Sequence, residues 1–278
     1  CCSTDGGDDM ILSAVNPLTI LWSILVLFVL ALVFGIVLAV LGKKLAVHED
    51  ERIRQVRDKL SGANCGGCGY AGCDAFARAI VEGKADINAC CATSADNKKL
   101  IAQIMGTSVS AEDTKIVVAC NGGNNAQDKY EYMGYGDCKS MELLCGGRKQ
   151  CKWGCLGMGS CVDACPYGAI QVGMDGYAEV DRTKCIRCGR CVSTCPKNLV
   201  KRIPADAKVY VACSNCQKGK EVRAICKSGC IGCGLCQKNC PNGAITVQNN
   251  LAVIDYSKCT GCGICMQKCP QKCIKSAE

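Results

Sequence analysis

The strongest pattern in the chain is an uncharged run from Leu18 to Leu41, interrupted only mildly by Thr19, Ser23 and Gly35. At 24 residues it is long enough to cross a bilayer with some tilt. A helix apolar on every side would need complete burial in a soluble protein, and no other segment offers the apolar surface for that. The run also exceeds the apolar core of a cleaved signal peptide and has no basic stretch before it. A transmembrane helix over 18–41 is therefore predicted. Charged positions take over from Lys43, with Leu45, Val47, Ile53, Val56 and Leu60 recurring at loose helical spacing, which predicts a juxtamembrane helix over 42–62. Asp74 to Glu82 reads as a further helix. Beyond a polar linker the chain repeats itself: Lys115–Cys120 echoes Lys208–Cys213, each a short apolar strand ending in cysteine. Hairpin signals follow at Ala169–Val180 around Asp175-Gly176 and at Ala244–Asp255 around Asn249-Asn250.

Charge orients the span. Asp5, Asp8 and Asp9 precede it and Lys43, Lys44, Arg52, Arg54 and Arg57 follow it, so residues 1–17 are expected outside and the remainder in the cytoplasm. Met10 is a candidate start, and Cys1 and Cys2 are given no role. The single histidine, His48, reads as a solvated interfacial residue rather than a ligand.

Thirty cysteines in 278 residues redirect the reading from packing to metal chemistry. They fall in tight C-x2-C-x2-C runs followed by Cys-Pro, too close together to bridge one another as disulfides. Zinc sites favour two ligand pairs, often with histidine; here there are three cysteines and a distant fourth. Iron–sulfur clusters fit best. With aromatic content at 5 %, the clusters themselves are expected to serve as the cores of small domains. The formal charge of +8 counts cysteines as neutral, whereas thiolate-ligated clusters are anionic, so the basicity is no argument for a nucleic-acid partner.

The spacings assign ligands. Cys65, Cys68, Cys73 and Cys90 form a C-x2-C-x4-C-x16-C set in a glycine-rich setting, with Cys91 as the alternative to Cys90. Gly67, Gly69 and Gly72 match a dinucleotide fingerprint formally, but no strand precedes them. In two-cluster ferredoxins the cysteine before proline serves the other cluster. One C-terminal centre is then Cys230, Cys233, Cys236 and Cys269, and its partner is Cys259, Cys262, Cys265 and Cys240. The central unit repeats this with Cys185, Cys188, Cys191 and Cys165. Its other run is irregular, because Met158 occupies the place of a cysteine and thioether ligates these clusters poorly. The nearest replacement gives Cys151, Cys155, Cys161 and Cys195; a three-iron centre is the alternative. Cys145, Cys216 and Cys273 look incidental.

The N-terminal span, the Asn64-Cys-Gly-Gly-Cys-Gly-Tyr70 module and the two cysteine repeats, in that order from Met10 to Cys273, resemble the B subunit of the Rnf complex, an ion-translocating ferredoxin:NAD oxidoreductase of bacterial and archaeal cell membranes. The resemblance implies one transmembrane helix, a small mainly α [4Fe–4S] module (63–105) and two tandem α+β ferredoxin-like 2[4Fe–4S] domains (106–205, with an insertion, and 206–278). Five clusters are expected. The remaining Cys120, Cys138, Cys213 and Cys226 accompany extended forms of this subunit, which implies a sixth cluster; buried or free thiols are the alternative reading. The implied role is to take electrons from soluble reduced ferredoxin and relay them to membrane partners. No catalytic residues and no nicotinamide or flavin fold are read here, so the NAD chemistry is expected in other subunits. A polyferredoxin of another membrane complex, such as a hydrogenase, is the alternative. Lys197, Lys201, Arg202, Lys218, Lys220, Arg223, Lys227, Lys268, Lys272 and Lys275 are candidates for steering an acidic ferredoxin, or for balancing cluster charge.

Overall fold

The computed structural model describes residues 17–44, 50–110 and 112–277. Apart from Pro17, the expected extracytoplasmic segment lies outside the described residues. So do Leu45, Val47 and His48. The chain divides into two units, residues 1–50 and residues 51–278.

In the first unit, helix α1 runs Pro17–Lys44, three residues beyond the predicted end of the span. Pro17 suits a first helical position, where its missing N–H costs nothing. Ile20 to Gly42 is long and apolar enough to cross a membrane, and Leu21, Trp22, Leu27, Phe28, Phe34 and Leu38 are all exposed. A helix carrying apolar side chains all round with none buried is matched to lipid rather than to water.

The second unit begins with α2 (Glu51–Lys59), α3 (Cys73–Val81) and α4 (Ala95–Met105). Ser94 caps α4 by accepting from Asn97 N–H, and Gly106 ends it in the left-handed conformation. Val56, Leu60, Phe76, Ile80 and Ile101 form one buried core. The predicted juxtamembrane helix thus resolves differently over its second half. Helix α2 turns Val56 inward against Phe76, and Arg57 reaches Asp74 at 2.6 Å, so these residues belong to the first cluster module.

The remainder is a duplicated α+β arrangement. In the first copy, β1 (Thr114–Val118) is followed by α5 (Cys138–Leu143), α6 (Ser160–Asp163), the hairpin β2 (Ile170–Val172) with β3 (Ala178–Val180), α7 (Arg190–Thr194) and β4 (Val200–Pro204). Strand β4 returns antiparallel to β1 with Ile116 opposite Arg202. The second copy runs β5 (Val209–Val211), α8 (Gly219–Ile225), α9 (Leu235–Lys238), the hairpin β6 (Ile245–Gln248) with β7 (Leu251–Ile254), α10 (Ile264–Lys268) and β8 (Ile274–Ser276). Tyr210 in β5 faces Lys275 in β8. Asn249 and Asn250, at φ 49° and 61°, make the tight turn that the Asn-Asn pair predicts. Each copy has its own small core: Val118, Ile170, Leu199 and Val200 in one, Val209, Ile245, Ile254 and Ile274 in the other. Both cores include cysteines. Val117, Ile203, Ala207 and Ala277 join the copies in a fourth apolar cluster.

Candidate iron–sulfur centres

In the first module Asn64 sets the geometry. Its φ of 46° lies in the left-handed region that asparagine tolerates, and its Oδ1 accepts the N–H of Cys73 at 2.8 Å. That bond starts α3 and presents Cys73 to the core beside Cys68 and Cys90. Cys90 Sγ lies 3.2 Å from Thr93 Oγ1, and Thr93 also accepts from Ser61 N–H. Cys91 differs, its sulfur turned back on the carbonyl of Ala89. Burial pushes the Cys68 thiol up, and the nearby Cys90 and Cys65 sulfurs add to the shift.

Short helices distribute the cysteines of the repeats. Helix α6 carries Cys161 and leads to Cys165, and α7 carries Cys191 and leads to Cys195, so each helix serves two groups. Cys191 is pushed up to about 11 by burial and then by Cys185, Cys188 and Cys165, which surround it. In the second copy, α9 and α10 deliver Cys236 and Cys265 in the same way. Cys230, Cys233, Cys236 and Cys269 line one cavity, with Cys273. Cys240, Cys259, Cys262 and Cys265 line another.

The irregular run departs from the sequence reading. A cavity is lined by Cys155, Cys161 and Cys195, and the fourth thiol around it is Cys138, not Cys151. The insertion explains this. Its two limbs pair through Gln150 N–H to Gln127 O (2.8 Å) and Lys129 N–H to Arg148 O (2.6 Å). Asp137 caps α5, and Cys138 N–H donates to Ser160 Oγ at 2.8 Å, which places Cys138 over the start of α6. Cys161 is pushed up to about 12 by burial and then by Cys155, Cys138 and Cys195. Met158 is not among the lining residues.

Cys151 instead stands at the base of the insertion among Cys120, Cys226 and Asn215, where burial pushes its thiol up to about 11. Strands β1 and β5 both run toward this region, with Cys120 and Cys213 two residues past their ends, and Cys226 directly follows α8. All four thiols are buried. Asn215 Nδ2 lies 3.4 Å from Cys151 Sγ, and Gly122 lies against the sulfurs of Cys120 and Cys226. Cys120, Cys213 and Cys226, expected to share a site with Cys138, are thus grouped with Cys151. The sequence signal for the exchange is weak, because Cys138 shows no short spacing to its neighbours.

Among the described residues, no three His, Cys, Asp or Glu side chains converge as on a single metal ion. Three groups of thiols instead line cavities, and backbone N–H groups point at cysteine sulfurs: Ala169 to Cys165 (3.4 Å), Leu199 to Cys195 (3.5 Å) and Ala244 to Cys240 (3.3 Å). All-thiolate donor sets with N–H···S bonds suit iron–sulfur clusters. Two expected steering residues are otherwise engaged. Lys197 Nζ bonds Gly146 O, Lys152 O and Glu142, and Lys275 Nζ bonds the Tyr177 hydroxyl.

Known proteins share this order. Residues 60–92 match the family model described as "Putative Fe-S cluster", and residues 150–199 and 229–273 match the "4Fe-4S dicluster domain". The chain is 46 % identical over 251 residues to the B subunit of the Na(+)-translocating ferredoxin:NAD(+) oxidoreductase complex of Acetobacterium woodii, covering 90 % of this chain and 75 % of the relative. It is 43 % identical over 255 residues to the B subunit of the ion-translocating oxidoreductase complex of Methanosarcina acetivorans, covering 91 % and 97 %. It is 42 % identical over 242 residues to the B subunit of the proton-translocating ferredoxin:NAD(+) oxidoreductase complex of Clostridium ljungdahlii, covering 86 % and 85 %.

Proposed function

We infer the function from one premise: this chain belongs to the family of B subunits of the ion-translocating (Rnf) oxidoreductase complexes. It is a membrane-associated iron–sulfur electron-transfer subunit. In our reading it takes electrons from reduced ferredoxin and relays them to membrane subunits, with the NAD chemistry and the ion path in other subunits. Helix α1 anchors it with the N-terminus outside and the cluster domains in the cytoplasm, as the charges flanking the span suggest.

We assign six ligand sets. They are Cys65, Cys68, Cys73 and Cys90; Cys165, Cys185, Cys188 and Cys191; Cys138, Cys155, Cys161 and Cys195; Cys120, Cys151, Cys213 and Cys226; Cys230, Cys233, Cys236 and Cys269; and Cys240, Cys259, Cys262 and Cys265. A fully cysteine-ligated [4Fe–4S] centre supplies single-electron transfer when bound and offers no open position to a substrate. The chain's own residues keep the sets contiguous. One observation carries the relay reading: Cys120 Sγ accepts from Cys155 N–H and Cys213 Sγ accepts from Cys230 N–H, each at 3.3 Å. The set containing Cys151 therefore touches a set in each ferredoxin-like copy. Exposed Lys218, Lys220 and Arg223 on or beside α8 form the steering surface we favour for an acidic donor.

Anaerobic iron and acid-labile sulfide counts on the wild-type chain and on Cys213→Ala test this. The substitution should remove one cluster's worth of each. An unchanged count would eliminate the bridging set and break the relay in the middle.

A further inference from the structure

Four Cys-Pro runs occur in the two copies, beginning at Cys165, Cys195, Cys240 and Cys269. The residue four positions after each cysteine sits in the same backbone setting. It follows a left-handed residue every time: Gly168 (φ 58°), Asn198 (52°), Gly243 (57°) and Lys272 (49°). In three runs that position is aliphatic, Ala169, Leu199 and Ala244, and contributes only its N–H to the preceding ligand sulfur. The fourth is Cys273. Its thiol, 2 % exposed, enters the cavity lined by Cys230, Cys233, Cys236 and Cys269. Cys273 Sγ stands 3.5 Å from Cys269 Sγ, and Cys230 lines the same cavity. The side chain read from the sequence as incidental therefore places a thiol in the lining of the centre where the repeats have an aliphatic residue.

We propose that Cys273 is a positioning residue that holds no iron itself and donates its S–H to the sulfur of Cys269, raising the reduction potential of the centre that Cys230, Cys233, Cys236 and Cys269 ligate. Reduction adds negative charge that spreads onto the sulfurs, and a donor aimed at them stabilises the reduced form more than the oxidised one. A thiol is a weak donor, but here it is buried and stands against a ligand sulfur. The centre in this site thus becomes easier to reduce than its counterparts, whose equivalent position carries no donor beyond the backbone. The inference rests on the assignment of Cys230, Cys233, Cys236 and Cys269 as one ligand set.

The test compares Cys273→Ala, Cys273→Ser and Cys236→Ala in the full-length chain, purified anaerobically in detergent. Iron and sulfide counts and EPR-monitored redox titrations are the readouts. Cys273→Ala installs the residue found at positions 169 and 244. It should keep the wild-type iron count while the oxidised-to-reduced ratio of one centre rises about tenfold at fixed potential, a downward shift of about 59 mV for one electron. Cys273→Ser, which keeps a donor, should recover part of that shift. Unaltered midpoints in Cys273→Ala at full iron content would overturn the proposal, and so would the loss of a cluster from that variant. An unchanged iron count in Cys236→Ala would locate the failure in the ligand set beneath it, and the proposal would fall with it.

Discussion

Gly67 and Cys188 touch so closely that a β-carbon on Gly67 would run into the carbonyl of Cys188. One lies in the first cluster module and the other in the central ferredoxin-like copy. Tyr167 reinforces the same seam by donating its hydroxyl to Ala63 O at 3.2 Å. Since Gly67 is not in the left-handed region, the need for glycine here is one of space alone. Gly67→Ala should leave the iron count intact and force the two loops apart, at an overpacking cost of about 1–3 kcal/mol. EPR of the fully reduced protein should then show weaker magnetic coupling between centres. Wild-type coupling in that variant would mean that the seam does not set the spacing.

The placement of Cys138 and Cys151 in different sites gives a test by arithmetic. If the two thiols serve separate centres, Cys138→Ala and Cys151→Ala should each lower iron by one cluster's worth, and the double variant by two. A shared centre would make the double variant no worse than either single one. Iron per chain, with sulfide as a cross-check, decides between them.

Regular spacing is legible in the sequence because it is local. The runs at Cys185–Cys191, Cys230–Cys236 and Cys259–Cys265 each occupy a single loop and helix start, so the side-chain grouping follows from the short chain between them. The Asn249-Asn250 turn and the span through Phe28 are local features of the same kind. The place of Cys138 is not legible in this way. It comes to Ser160 and Cys161 only after the insertion pairs its limbs through Gln127 and Gln150, a long-range event with no spacing signature. Proximity in sequence favours Cys151, which the same pairing carries off toward Cys226. The apolar side of α2 escapes the sequence for a related reason: Val56 packs on Phe76 across a loop, not along a continuous helix.

Asn64 combines two duties, a left-handed backbone and a side-chain acceptor for Cys73 N–H. Asn64→Ala should lose both, costing about 1–3 kcal/mol from the unmet N–H and the strained φ. Asn64→Gly keeps the backbone and loses only the acceptor, so it should be milder. The rate at which a chelator strips iron from the first module should follow the order Ala, Gly, wild type, fastest first. Equal rates in all three would show that Asn64 does not secure Cys73.

Lys197 and Lys201 look alike in sequence, but the structure gives them different work. The Lys197 side chain is 7 % exposed, with its ammonium 2.7 Å from Glu142, 2.8 Å from Gly146 O and 2.6 Å from Lys152 O. Those partners lie in or next to the insertion that carries Cys138, so this lysine ties α5 to the central copy. Removing it leaves two carbonyls and a carboxylate without their donor, a loss of about 3–5 kcal/mol for a buried pair broken on one side. Lys201 is exposed on β4, across from Val117. Lys197→Ala should therefore lower iron by one cluster's worth, the same loss as Cys138→Ala. Lys201→Ala should keep full iron and change only the salt dependence of reduction by ferredoxin. Stopped-flow reduction at two ionic strengths, read beside the iron counts, separates the two roles. A Lys197→Ala protein with full iron and slowed association would reverse the assignment and return Lys197 to the docking surface.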